Sequence, residues 1–133
     1  MKITSSNATT KVKTAADGTP CEGHMWISKE KGNEAWIQFD FKDEYLINRY
    51  VVRHAGNAGM MKQLNTRSFT MEVSRDGKKW TRVDSQMNNT ASVTDVDITP
   101  VQGRYVRLQI QDAGEDGIAR IGDVEIYGSI LGN

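Results

Sequence analysis

Four polar side chains crowd one stretch of the chain, RHAGNAGMMKQLNTR at 53–67: His54, Asn57, Asn65 and Arg67. A neutral imidazole offers one donor and one acceptor, an asparagine amide offers both, and a guanidinium presents a rigid fork of donors. Such groups orient a polar ligand through hydrogen bonds. Met60 and Met61 lie among them and add an adaptable apolar surface.

Bond-breaking chemistry needs convergent acid, base or nucleophile groups. The chain has two histidines, His24 and His54, and no HExxH, GxSxG or phosphate-cradling glycine loop. Glu115 and Asp116, in QDAGEDGIAR, are the candidates for a glycosidase-like carboxylate pair. They are adjacent and would point apart on an extended chain, so a solvated acidic turn is the plainer reading. Cys21 is the single cysteine, which excludes an internal disulfide and leaves a cysteine-based zinc site short of ligands. Nothing in the residues argues positively for catalysis.

The 133 residues suit one domain with a single core. Lys+Arg equals Asp+Glu, 17 against 17, so net charge gives no reason to expect nucleic acid or an anionic membrane as partner. Charged residues at 26% and apolar ones at 38% describe an ordinary globular composition and argue against disorder. No apolar run approaches a membrane span, and MKITSSNATT lacks the hydrophobic stretch of a signal peptide.

The elements that must position these groups read as strands. AWIQFDF puts Ile37, Phe39 and Phe41 on one face. LINRYVVRH, 46–54, is rich in β-branched and aromatic residues, but both of its faces are partly apolar and its inward face stays open. SFTMEVS alternates Phe69, Met71 and Val73 with polar residues. Asp76-Gly77 signals a hairpin turn, with KWTRV at 79–83 as the return strand. SVTDVDI (92–98) precedes Thr99-Pro100, RYVRLQI sets Val106, Leu108 and Ile110 on one face, and IARIGDVEIYG closes the domain. About seven strands with no crossover helix predict an all-β, antiparallel β-sandwich.

The ordered set AADGTP…HMWIS, AWIQFDF, VSRDGKKWTRV, GRYVRLQI and ARIGDVEIYG resembles the F5/8 type C (discoidin) family over roughly residues 10–128. It is most similar to the family 32 carbohydrate-binding modules. The resemblance implies a galactose-binding-like jelly roll, with Trp36, Trp80, Arg104, Tyr105 and Arg107 in structural roles. It implies a single domain over 1–133, excised from a larger secreted or cell-surface protein and monomeric within it.

What the resemblance implies for function is a non-catalytic module that directs a glycoside-active enzyme to glycans ending in galactose or an N-acetylhexosamine. The alternative is a discoidin-type adhesion domain for protein or membrane surfaces, with Met60, Met61 and Leu64 beside Lys62 as a thin version of a membrane spike. The family binds sugar on loops at one end of the sandwich, which points to His54, Asn57, Asn65 and Arg67, together with Asn89 in SQMNNTAS. An apolar cover is expected from Met60 and Met61, or from Trp26, which could equally be core. The resemblance also implies a structural calcium held by Asp17 and by Asp123 or Glu125 in the last strand. Calcium takes six to eight oxygens, which a carbonyl-rich loop with one or two carboxylates supplies.

Overall fold

The structure is a computed structural model that describes residues 2–5, 26–28, 34–57 and 59–130. Its strands are β1 (Lys2–Ser5), β2 (Trp26–Ile27), β3 (Trp36–His54), β4 (Ser68–Ser74), β5 (Thr81–Gln86), β6 (Val93–Asp112) and β7 (Arg120–Ile130). The order is β2-β7-β3-β6-β4-β5, with β1 added on β3, and every pairing is antiparallel. The expected all-β jelly-roll sandwich is what the chain forms.

The period-two pattern explains which faces meet. Ile37 and Phe39 of β3, Phe69, Met71 and Val73 of β4, and Val106, Leu108 and Ile110 of β6 are all buried in one core. Phe41, expected to share their face, is only partly buried and packs at the edge of that core. From 46–54 the inward set is Tyr50, Val52 and His54, which follow each other at every second position.

Sequence reading divides AWIQFDF from LINRYVVRH, but the two form one 19-residue strand, β3. Likewise β6 runs for 20 residues through Thr99 and Pro100. Each is interrupted rather than broken. The β3–β6 register jumps from Asp40↔Tyr105 to Tyr45↔Gly103, and from Ile47↔Val101 to Arg49↔Asp97. Pro100 falls in the second irregularity, where its missing N–H costs no ladder bond. These kinks let each long strand change neighbours. The first half of β3 pairs with β1, and its second half pairs with β7. The second half of β6 pairs with β4. The two leaves so formed fold face to face: the rings of Tyr50 in β3 and Phe69 in β4 meet edge-on at 6.5 Å, although those strands are not paired.

The return strand after Asp76-Gly77 starts at Thr81, two residues later than expected. Asp76 Oδ1 accepts the N–H groups of Lys78 and Lys79 at 2.8 and 2.9 Å, and Ser74 Oγ accepts that of Gly77 at 2.8 Å. Those amides close the loop and cannot join a ladder. The same backbone donors hold the Asp76 carboxyl down to about 2.

On the outer face, Arg107 lies between the rings of Trp36 and Trp80, 4.8 and 4.3 Å from their centroids, and donates to Gln38 Oε1. Arg104 pairs in two-pronged fashion with Asp40. The structural roles implied for these residues match their contacts.

Candidate functional site

One end of the sandwich gathers the ends of β3, β5 and β6 and the starts of β4, β6 and β7, with the loops between them. The loop after β3 carries two single-turn 3-10 segments, Ala55–Asn57 and Lys62–Leu64. Backbone bonds hold its shape: Met60 N donates to Ala55 O at 3.1 Å and Asn65 N to Lys62 O at 3.0 Å.

Asn65 fastens this loop to its neighbours. It is 2% exposed. Its Oδ1 accepts the Gly56 N–H at 2.6 Å, and its Nδ2 donates to Ala91 O and Ser92 Oγ at 3.3 Å each. Asn89 does a similar task from the other side. Its Nδ2 donates to Thr66 O and Ala91 O at 3.0 Å each, and its backbone N–H reaches Arg67 O at 2.7 Å. Gly114 brings in the third loop, since a Cβ there would sit 2.8 Å from Asn65 O. Two of the three amides expected to meet a ligand, Asn65 and Asn89, are thus engaged in building the loop end.

His54 does not meet the expectation of a ligand contact. It is fully buried on the inward face of β3, and its ring lies 5.6 Å from that of Phe69. Its Nε2 is hydrogen-bonded to Thr94 Oγ1 at 2.8 Å, while its Nδ1 has no hydrogen-bond partner among the described residues. Burial pushes its pKa down to about 4, so the ring is neutral near pH 7. Trp26 is also fully buried in the core, which removes it as a stacking surface.

The remaining groups form an open groove. Met60, Met61, Lys62, Gln63, Asn65 and Arg67 from the loop after β3, with Asn89 and Thr90 from the neighbouring loop, line it together. Met61 is 64% exposed. Arg67 is exposed, and its guanidinium has no ion pair or hydrogen bond among the described residues. Asn57 is exposed but lies outside the groove lining. Gln63 and Thr90 were not singled out from sequence; the signal available was their position inside or beside the polar loops. Among the described residues no aromatic ring lines the groove.

Of the two residues expected to hold calcium, Asp17 lies outside the described residues. Asp123 is 2% exposed on β7 and stands opposite Arg53 in the β3–β7 register. Glu125 is engaged by Arg53 at 2.9 Å and by the Tyr127 hydroxyl. Among the described residues no three His, Cys, Asp or Glu side chains converge in a metal-holding group.

A family model for the F5/8 type C domain matches residues 2–124. The chain belongs to the F5/8 type C domain family. No curated protein matches it. Among solved structures, this F5/8 type C domain is similar to the family 32 carbohydrate-binding module of Streptococcus pneumoniae EndoD, at 20% identity and TM-score 0.80, covering 96% of each chain. It is similar to CpGH89CBM32-5 of Clostridium perfringens, in complex with GalNAc-β-1,3-galactose, at 17% identity and TM-score 0.83, covering 96% of this chain and 94% of the other. A third is the CBM32 of AlyQ in complex with 4,5-unsaturated mannuronic acid, at 18% identity and TM-score 0.80, with the same two coverages. At these identities the likeness speaks for the fold.

Proposed function

We propose that this F5/8 type C domain is a non-catalytic carbohydrate-binding module, and that the groove between residues 60–67 and 89–90 is its sugar site. The observation that carries the reading is the exposed Arg67 fork, without a side-chain partner among the described residues, in one open groove with Met60 and Met61 whose loops are tied together by hydrogen bonds. Sugar recognition needs planar donors for adjacent hydroxyls and an apolar surface for the C–H face. Arg67 and Gln63 supply the first, and the two methionines the second. Loops on a rigid sandwich are where such sites sit. Solved relatives described as carbohydrate-binding modules support the same reading.

The ligand class is a glycan ending in galactose or an N-acetylhexosamine, and the module tethers a glycoside-active enzyme to it, raising the local enzyme concentration. A secreted or cell-surface setting and a structural calcium at Asp17 and Asp123 belong to this reading. Titration of the domain with a panel of galactose- and N-acetylhexosamine-terminated glycans tests it. Binding that is lost in Arg67→Ala and kept in His54→Gln is the expected pattern. A panel without a single binder overturns it. The exposure of Met61 and Met87 at this end, 64% and 62%, favours a second reading as a membrane-adhesion surface; co-sedimentation with lipid vesicles would then replace glycan binding.

A further inference from the structure

The eight arginines of this chain are nearly all accounted for. Arg49, Arg53, Arg75, Arg104 and Arg120 pair with Asp95, Glu125, Glu44, Asp40 and Asp116. Arg107 is stacked between two tryptophans. Arg82 stands opposite Glu72 across the β4–β5 ladder. Arg67 alone sits in a concave wall with no acid facing it among the described residues. Among the described residues its groove holds a second cation, Lys62, and no Asp or Glu. This is a local excess in a chain whose formal charge is zero.

The acids on the adjoining loop are occupied elsewhere. Asp112 Oδ1 accepts the Gly114 N–H at 3.0 Å, and Asp116 is held by Arg120 at 2.7 Å. Glu115 on that loop is exposed and does not line the groove. A neutral sugar laid over Arg67 would strip water from the guanidinium without returning a charge. A carboxylate or sulfate would compensate it and match the fork with two parallel bonds. Lys62, in the lining of the same groove, adds attraction without geometric demand.

We infer that the groove selects an anionic glycan, one whose carboxylate or sulfate group engages the Arg67 guanidinium, with Lys62 lining the same groove. The inference rests on the reading of this groove as the sugar site and narrows its ligand to acidic saccharides.

The test is calorimetric titration of the domain with three matched oligosaccharides: a galacturonate oligomer, its carboxyl-reduced neutral counterpart, and a sulfated galactose oligomer. The expected result is binding of at least one acidic form about tenfold or more tighter than the neutral one, as for a charge-assisted two-pronged contact. Which acidic form binds tells carboxylate from sulfate. The gap should narrow when salt rises from about 50 mM to about 500 mM. It should vanish in Arg67→Ala and persist in part in Arg67→Lys, which keeps the charge but not the fork. Near-ultraviolet circular dichroism verifies that these surface variants stay folded. Equal binding of neutral and acidic forms overturns the anionic preference while leaving a sugar site in place. Binding to none of the three, with binding to neutral glycans of the wider panel, overturns the preference alone; no binding to any glycan overturns both.

Discussion

Asn65 Oδ1 receives the Gly56 backbone N–H at 2.6 Å, and that one bond ties the first turn of the 55–67 loop to its last. A Cβ on Gly56 would stand 3.0 Å from this oxygen and 2.4 Å from Ser92 Oγ, so the glycine and the amide are fitted to each other. Asn65→Ala would strand the Gly56 donor and the Ala91 acceptor. The expected cost is about 1–3 kcal/mol of unfolding free energy, together with weaker glycan binding although Asn65 itself is almost wholly buried. Urea unfolding and calorimetric titration of the same variant measure both effects. A variant with an unaltered unfolding midpoint would show that the loop does not depend on this amide.

Gly114 and Gly117 offer a controlled pair. Both have positive φ, +110° and +73°, but a Cβ on Gly114 meets Asn65 O at 2.8 Å while one on Gly117 meets nothing within 4 Å. Gly117→Ala should cost only the left-handed backbone penalty, about 1 kcal/mol. Gly114→Ala should cost distinctly more and should reduce glycan affinity by displacing Asn65. Thermal melts of the two variants, run side by side, decide the point. Equal losses would mean that the close approach to Asn65 carries no energy.

His54 predicts a pH dependence of stability. Its folded pKa, about 4, lies below the ordinary value of 6.5 because burial disfavours the imidazolium. Between these values the unfolded chain binds more protons than the folded one. The stabilisation is therefore complete above about pH 6.5 and is lost as pH falls toward 4, at up to about 1.4 kcal/mol per pH unit. Denaturant unfolding at half-unit steps from pH 7.5 to 4.5 should follow that slope, and His54→Gln should flatten it. An identical slope in the variant would assign the dependence to other groups. The carboxyls of Asp76, Asp95, Asp116 and Glu125 are held below their ordinary values and begin to cost stability only as pH falls toward the ordinary carboxylate range, so the slope from about pH 6.5 to about pH 5.5 reports on His54.

For the proposed calcium, the readout is stability rather than binding. A cation that binds only the folded chain adds about 2.7 kcal/mol at a hundredfold excess over its dissociation constant. EDTA should lower the melting temperature of the native sequence and leave that of Asp17→Asn unmoved. A melting temperature of the native sequence that ignores both EDTA and added calcium removes the ion from the account.

The strands were readable because alternation is a local property. Phe69, Met71 and Val73 are spaced two apart whatever the rest of the chain does, and their burial follows. His54 was misread because its strand is apolar on both faces: Val51 is as buried as Val52, so alternation in 46–54 does not fix which parity faces inward. Knowing that Tyr50 and Val52 point to the core would have placed His54 there too. Asn65 and Asn89 were legible as loop amides but not as loop fasteners, since their partners Gly56, Ala91 and Thr66 are brought to them only by folding. The solvent exposure of Arg67 and its lack of an acidic partner among the described residues likewise depend on which acids the other loops hold.

The kinked β3 has a consequence for synthesis on the ribosome. Its second half pairs with both β6 and β7, and Leu46 stands between Gln102 and Ser129. When residues 36–54 leave the exit tunnel, most of their hydrogen-bonding neighbours have not yet been made. The loop site that follows at 55–67 must also wait for Ala91 and Gly114. The pairing of β3 is therefore completed late, through long-range contacts of the kind that make folding slow. Until then the chain presents unpaired strand edges that chaperones, or a second nascent copy, can capture.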